Sequence, residues 1–329
     1  MAERGAAPGR ACPLSYRYDT VALARAATLH VETLWVAGGL YGNAFALEAL
    51  LALVEREPGP KALVFNGDFH WFDTDGADFS RINAAVLRHH AMRGNVETEL
   101  AVPNAAAGCG CAYPEWVGDA EVERSNGIIE RLRATARRFP QALAALARLP
   151  MVLVAEVGGE RVVAVHGDAE SLAGWNFSQE RLAAPAGVAA ARRVFERSAA
   201  RVFASSHTCL PVLRRFGGEG DGRIIANNGA AGLPNFAGTR YGLATRISVR
   251  PSGGALYGAR AGAFYVEAVP VEFDAAAWEK RFVAQWPAGS DAHVSYHARI
   301  LSGPRYRLRE ALRLEQQDEL RHTEDRVAL

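Results

Sequence analysis

The feature that most constrains this chain is a repeated local event. A short apolar run stops abruptly at a polar turn containing glycine or serine. Val31–Ala37 stops at Gly38-Gly39, and Ala62–Phe65 stops at Asn66-Gly67-Asp68. Arg161–Val165 runs into His166-Gly167-Asp168, Val202–Ala204 into Ser206-His207-Thr208-Cys209, and Arg223–Ala226 into Asn227-Asn228-Gly229. Short apolar runs bounded by turn residues read as strands. Stripes at helical spacing separate the early runs. Asn43 opens one with Leu47, Leu50, Leu51 and Val54, and Pro58-Gly59-Pro60 ends it. Phe79, Ile82 and Val86 make a second stripe, which leads to Arg93-Gly94-Asn95. In open α/β sheets, ligand groups gather at strand ends such as these.

The second half adds hairpins. Met151–Val157 and Arg161–Val165 are joined by Gly158-Gly159, and Tyr241–Val249, Ala255–Tyr257 and Phe264–Val271 alternate like antiparallel strands. Val122–Arg138 and Val188–Ala200 read as helices, and Trp278, Phe282 and Trp286 mark one face of another. Ala101–Gly118 breaks the rhythm and reads as an inserted loop. The fold class is α/β: two facing mixed sheets with helices outside. We expect an N-terminal arm over 1–30 and one domain over 31–275, with the inserted loop at about 101–120. A helical extension over 276–329 packs on that domain, and its polar end, Glu315–Leu329, is expected to fray.

Composition narrows the function only by exclusion. Lys plus Arg number 37 and Asp plus Glu 36, so no global field attracts nucleic acid. No apolar run reaches the roughly 18–20 residues of a membrane span. No basic-then-apolar leader opens the chain. Four scattered cysteines, Cys12, Cys109, Cys111 and Cys209, do not make a disulfide framework, so a reducing cytoplasm is expected.

Chemistry concentrates in four residues that each follow an apolar run: Asp68, Asn95, His166 and His207. A carboxylate, an amide oxygen and two imidazoles suit a transition metal such as Zn, Mn or Fe.

The order of these turns resembles the calcineurin-like metallophosphoesterase family, whose motifs run D-x-H-G-N, G-D, G-N-H-D/E, H-G, G-H-T-H and N-P-G-S. Here they read Gly39-Leu40-Tyr41-Gly42-Asn43, Gly67-Asp68, Gly94-Asn95-Val96-Glu97, His166-Gly167, Ser206-His207-Thr208-Cys209 and Asn227-Asn228-Gly229-Ala230. The resemblance spans roughly residues 31 to 250. It implies a four-layer αββα sandwich and two adjacent metal sites sharing Asp68. One site, made of Asp68, Asn95, His166 and His207, is complete. The other keeps only the shared Asp68, because Gly39, Tyr41 and Cys209 replace its remaining ligands. Tyr41 could bind only as phenolate and Cys209 only as thiolate. The proton-donating histidine of the family falls at Val96. Glu97, which would orient that histidine, is left without its partner.

Two residues are expected to matter for catalysis: His70, as a proton donor near the retained Asp68, and Glu97. His89 and His90 read as the C-terminal turn of a helix. Cys109-Gly110-Cys111 lacks the second pair of a zinc site. Tyr113, Trp116 and Trp175 read as core aromatics or pocket walls, and Asn104–Gly118 is expected over the mouth of the site. His293 and His297 have metal-ligand spacing but no acidic partner. Three functions compete. One is hydrolysis of a phosphate ester with at most one firm transition metal, divalent or trivalent. The second is a non-catalytic module for a metal, phosphate or nucleotide. The third is a remnant without metal. The expected partner is a small phosphorylated ligand or a phosphoprotein, with no nucleic acid and no membrane.

Overall fold

The computed structural model describes residues 7–25 and 28–314. Among these, the strands in chain order are β1 (Thr28–Val31), β2 (Thr33–Ala37), β3 (Lys61–Phe65), β4 (His90–Ala91), β5 (Val152–Val157), β6 (Glu160–Val165), β7 (Val202–Ser205), β8 (Val212–Phe216), β9 (Arg223–Asn227), β10 (Gly242–Ser248), β11 (Tyr257–Ala261), β12 (Phe264–Val271) and β13 (Leu312–Arg313). The helices are α1 (Ala44–Glu55), α2 (Gly76–Val86), α3 (Asn95–Ala101), α4 (Asp119–Ala136), α5 (Pro140–Ala147), α6 (Gln179–Ala183), α7 (Pro185–Ser198), α8 (Ala275–Gln285), α9 (Asp291–Ser302) and α10 (Leu308–Ala311). No helix among the described residues is long and apolar enough to cross a membrane.

The strands form two sheets, ordered β1-β5-β6-β7-β9-β8-β13 and β11-β12-β10-β2-β3-β4. Alternation along the strands builds the layers, because successive side chains point to opposite faces. Leu34 and Val36 of β2 meet Val162 and Ala164 of β6 in the core between the sheets. Trp35 and Leu63 point the other way, into a core shared with α1, α2, α4, α8 and α9. Val163 and Phe203 pack against Phe195 of α7 on the far side. The result is a four-layer αββα sandwich. Strands buried on both faces read as continuous apolar runs, which is why the runs were so plain in sequence.

Two parallel sets matter for function. β2, β3 and β4 run parallel, and so do β6, β7 and β9. The turns that follow β3, β4, β6 and β7 therefore open at one edge of the sandwich. The antiparallel link between β5 and β6 turns at Gly158-Gly159, both in the left-handed region that glycine adopts without strain.

Several expectations change. The run Val31–Ala37 is divided between the sheets: Val31 ends β1 and Thr33 begins β2. The helix before His89 and His90 ends at Val86, and His90 enters β4. The stretch read as an arm is built into the fold over its described residues. Tyr16 is buried and its hydroxyl donates to Glu99 Oε1 at 2.7 Å, while Arg10 donates to the carbonyls of Pro114 and Val117. These are contacts across about a hundred residues, so no local pattern announces them. The tail Glu315–Leu329 lies outside the described residues. Trp278, Phe282 and Trp286 are buried together, and Trp286 Nε1 donates to the Phe72 carbonyl at 2.8 Å.

One ion pair ties these pieces to the site. Arg133 of α4 donates to Glu99 Oε2 at 2.7 Å and to the carbonyls of Glu99 and Gly108. Glu99 is fully buried and Arg133 only 6% exposed. Removing one partner of such a pair strands the other charge, at a cost of about 3–5 kcal/mol. Arg133→Ala should lose about that much in urea unfolding. A loss under about 1 kcal/mol, the range of a surface pair, would contradict this role.

Candidate metal centre

The site begins with a glycine contact. Gly67, at φ 101°, and Gly94 let the turn after β3 touch the start of α3. A Cβ on Gly67 would lie 2.5 Å from the Gly94 nitrogen, and one on Gly94 would lie 2.3 Å from Asp68 Oδ1. Only glycine permits this approach. It brings Asp68 and Asn95 to the same point.

Glu97 fixes the contact. Its carboxylate accepts the backbone N–H groups of Asp68 (2.8 Å), Phe69 (3.1 Å), His70 (3.3 Å) and Gly94 (2.9 Å). Glu97 is thus far from partnerless: the same carboxylate caps α3 and holds the Asp68 turn. Burial first, and the nearby Asp68 charge second, raise its pKa, while the bound N–H groups oppose that shift.

The four strand-end residues come together. His166 Nε2 lies 3.1 Å from Asn95 Oδ1, 3.2 Å from His207 Nδ1 and 3.3 Å from Asp68 Oδ1. Each neutral donor is turned by a backbone carbonyl behind it. His166 Nδ1 is 2.8 Å from the Asn66 carbonyl, His207 Nε2 is 3.0 Å from the Cys111 carbonyl, and Asn95 Nδ2 is 3.0 Å from the Cys109 carbonyl. With those hydrogens committed outward, the lone pairs of both imidazoles and the amide oxygen face one another. Metal-binding imidazoles are held this way. Burial and the neighbouring His166 push the His207 pKa down to about 3, so His207 is neutral. Burial also works against protonation of His166, but Asp68 outweighs it and the net shift is upward. A carboxylate, an amide oxygen and two imidazoles in this arrangement suit one transition metal ion.

Next to these donors, Tyr41 and Cys209 line the cavity beside Gly39. A Cβ on Gly39 would meet the Tyr41 ring at 3.0 Å, and the Tyr41 hydroxyl is 2.8 Å from Cys209 Sγ. Burial raises the pKa of both the phenol and the thiol. Both therefore keep their protons near neutral pH in the metal-free site.

His70, expected as a proton donor, faces elsewhere. Its ring is fully buried, stacks on Phe79 with centroids 4.1 Å apart, and places Nδ1 2.5 Å from Asp73 Oδ2. It braces the turn and does not line the cavity. Val96 does line it, and offers only carbon. His293 and His297 stack on each other on α9.

Beside the four donors is a cavity of about 380 Å³. Cys111, Tyr113 and Val117 of the inserted stretch form part of its wall, and Trp175 anchors to the same stretch through the Cys111 carbonyl at 3.0 Å. Trp116 packs edge-on against Trp175. Sequence reasoning missed the contribution of α9, which adds Ser295, Tyr296 and Arg299. Tyr296 and Arg299 stand one turn apart on a helix, a spacing too common to single out. A larger hollow of about 800 Å³ lies around Trp35 and Arg246. Its central charges are paired internally: Arg246 bonds both Glu57 and Glu267 at 2.7 Å.

No protein-family profile and no curated protein sequence matches this chain. Solved structures do. A metallophosphoesterase from Sphaerobacter thermophilus aligns over 83% of this chain and 100% of its own, with TM-score 0.53 and 17% identity. A hypothetical protein from Pyrococcus horikoshii OT3 aligns over 81% of this chain and 98% of its own, with TM-score 0.55 and 14% identity. At such identities the likeness is one of fold. The fold is that of the calcineurin-like metallophosphoesterases.

The role of Glu97 is testable without any ligand. Glu97→Gln turns an amide NH₂ toward backbone N–H groups and leaves at least one buried donor unmatched, a cost of about 1–3 kcal/mol. Unfolding should register that loss. Hydrogen exchange should quicken at the amides of Asp68, Phe69 and His70, and unchanged protection there would refute the assignment.

Proposed function

We propose that this chain uses Asp68, Asn95, His166 and His207 to bind a single transition metal ion, manganese, iron or zinc, and through it a phosphorylated small molecule. The observation that carries this reading is the outward commitment of three donors to the carbonyls of Asn66, Cys109 and Cys111, beside a second position closed by Tyr41 and Cys209. When bound, the ion would supply positive charge to a phosphoryl oxygen. The chain's own residues orient that charge, enclose the ligand and exclude water. The His70 ring, spent on Asp73 and Phe79, stands away from the cavity and takes no part in proton transfer.

A second reading, slow metal-dependent hydrolysis of a phosphate ester, is favoured by the open cavity next to the four donors. Against it, Val96 carries no proton where the family resemblance asks for one. An absent general acid costs about 10²–10⁴ in rate.

Metal analysis of protein purified without chelator should find one ion per chain. His166→Ala and Asp68→Asn should each weaken its uptake by at least about tenfold, and Tyr41→Phe should leave the count unchanged. Two ions per chain would refute the single-site reading. An aryl phosphate assay with added manganese separates the two functions. Turnover above that of Asp68→Asn establishes hydrolysis, and turnover equal to it establishes binding alone.

A further inference from the structure

Closing the second metal position removes positive charge from the place where a phosphate would sit. The cavity contains a cation that can replace it. Arg299 comes from α9, outside every strand-end turn. Its Nε donates to the Pro234 carbonyl at 2.9 Å, and Nη2 donates to the Cys209 carbonyl at 2.8 Å. These bonds fix the guanidinium plane beside Cys209, two residues beyond His207. Nη1 has no acceptor among the described residues. Of the two carboxylates lining the cavity, Asp68 belongs to the four donors and Glu121 is matched by Arg124 at 2.6 Å and by the Ser295 hydroxyl at 3.3 Å. The charge of Arg299 is therefore available to a ligand.

The remaining wall is aromatic. Trp175 uses its N–H on the Cys111 carbonyl, and Tyr113 uses its hydroxyl on Ser125 at 2.9 Å. Their ring centroids are 5.9 Å apart. With their polar atoms spent inside the protein, both bring ring surface to the cavity. Tyr296, one turn before Arg299, lines it as well. A hollow of about 380 Å³ with such walls accepts a small flat group alongside a phosphate.

We infer that Arg299 anchors the phosphate of the ligand in place of a second metal ion, and that Tyr113, Trp175 and Tyr296 hold an aromatic or heteroaromatic group attached to that phosphate. A guanidinium held by two carbonyls is pre-organised for phosphate oxygens, which it binds through paired, charge-assisted hydrogen bonds. Ring surface favours a flat partner through offset or edge-on contact. This inference rests on the single-metal reading above, and the experiment keeps the two apart.

Manganese uptake is measured first. The manganese-loaded protein is then titrated calorimetrically with methylphosphonate and with phenylphosphonate, neither of which has an ester bond to cleave. The parent should bind phenylphosphonate about tenfold more tightly than methylphosphonate. Arg299→Met should weaken both by about 10- to 100-fold while manganese affinity stays constant. Arg299→Lys, which keeps the charge without the fork, should fall between, and this also shows that the Met variant's loss is not misfolding. Trp175→Leu should weaken phenylphosphonate alone. Equal binding of both phosphonates by the parent overturns the aromatic part of the inference. Unchanged binding by Arg299→Met overturns the anchor. A parent that takes up no manganese overturns the metal reading instead, and the Arg299 comparison in metal-free protein then still decides the anchor.

Discussion

Four backbone N–H groups from two separate turns end on one buried carboxylate, Glu97. Asp68 and Asn95 belong to those two turns, so their side chains have a fixed separation before any ligand arrives. The arrangement depends on the bare backbones of Gly67 and Gly94, which let the turns touch. A buried carboxylate is costly unless it is fully hydrogen-bonded, and the backbone donors meet that condition. Local strain is absorbed nearby: Asp68 itself sits at φ 54°. Such conformations cost about 1–3 kcal/mol and persist where the surroundings over-determine them. The parallel strands bring the turns to one edge, and Glu97 converts that proximity into a defined geometry.

The fold was legible in sequence because of how its strands are buried. Strands buried on both faces must be apolar throughout, so their ends are sharp, and Asp68, His166 and His207 stand just past such ends, whereas Asn95 opens α3 after the two-residue β4. The helices α3 and α5 were not legible. The first is short and carries Glu97, Thr98 and Glu99 facing inward, which no apolar periodicity marks. The second pairs a short Ala-rich stretch with a single fully buried leucine, Leu146. Glu97 was recognised as important but read as left without a partner, because it accepts from backbone N–H groups, which carry no sequence signature. His70 misled in the opposite way. Its ordinary pKa and its closeness to Asp68 in sequence suggested chemistry, but the turn at Asp68 swings the next residues into the core against Phe79 and Asp73.

The inserted stretch and the N-terminal segment form one unit that sequence separates by about a hundred residues. Arg10 holds the stretch through the carbonyls of Pro114 and Val117, and Tyr16 reaches Glu99, which Arg133 also holds. The same stretch presents the Cys109 and Cys111 carbonyls that orient Asn95 and His207. The orientation of two donors therefore depends on packing well outside the strand-end turns. The carbonyls of this C-x-C segment orient two donors, and the Cys111 thiol adds a longer contact from Asn95 Nδ2 at 3.5 Å.

The turn at Gly39, where the family resemblance would place a second metal position, has the physical character of a completed structure. Removing a metal ion while keeping its acidic ligand would leave a buried negative charge, at a cost of several kcal/mol. Here position 39 carries no carboxylate, and the space over it is filled by the Tyr41 ring. Tyr41 and Cys209 satisfy each other's polar atoms at 2.8 Å and remain neutral. Both residues sit at positive φ, 55° and 61°, conformations that bulky residues adopt only under tight constraint. Gly42 and Asp73 pack together behind Tyr41, and Arg299 binds the Cys209 carbonyl. Each feature lowers the cost of the others: without the carboxylate no cation is needed, without the cation the phenol fits, and with the phenol in place the thiol has a partner. Asp68 faces His166 and also accepts the Val96 N–H at 3.2 Å.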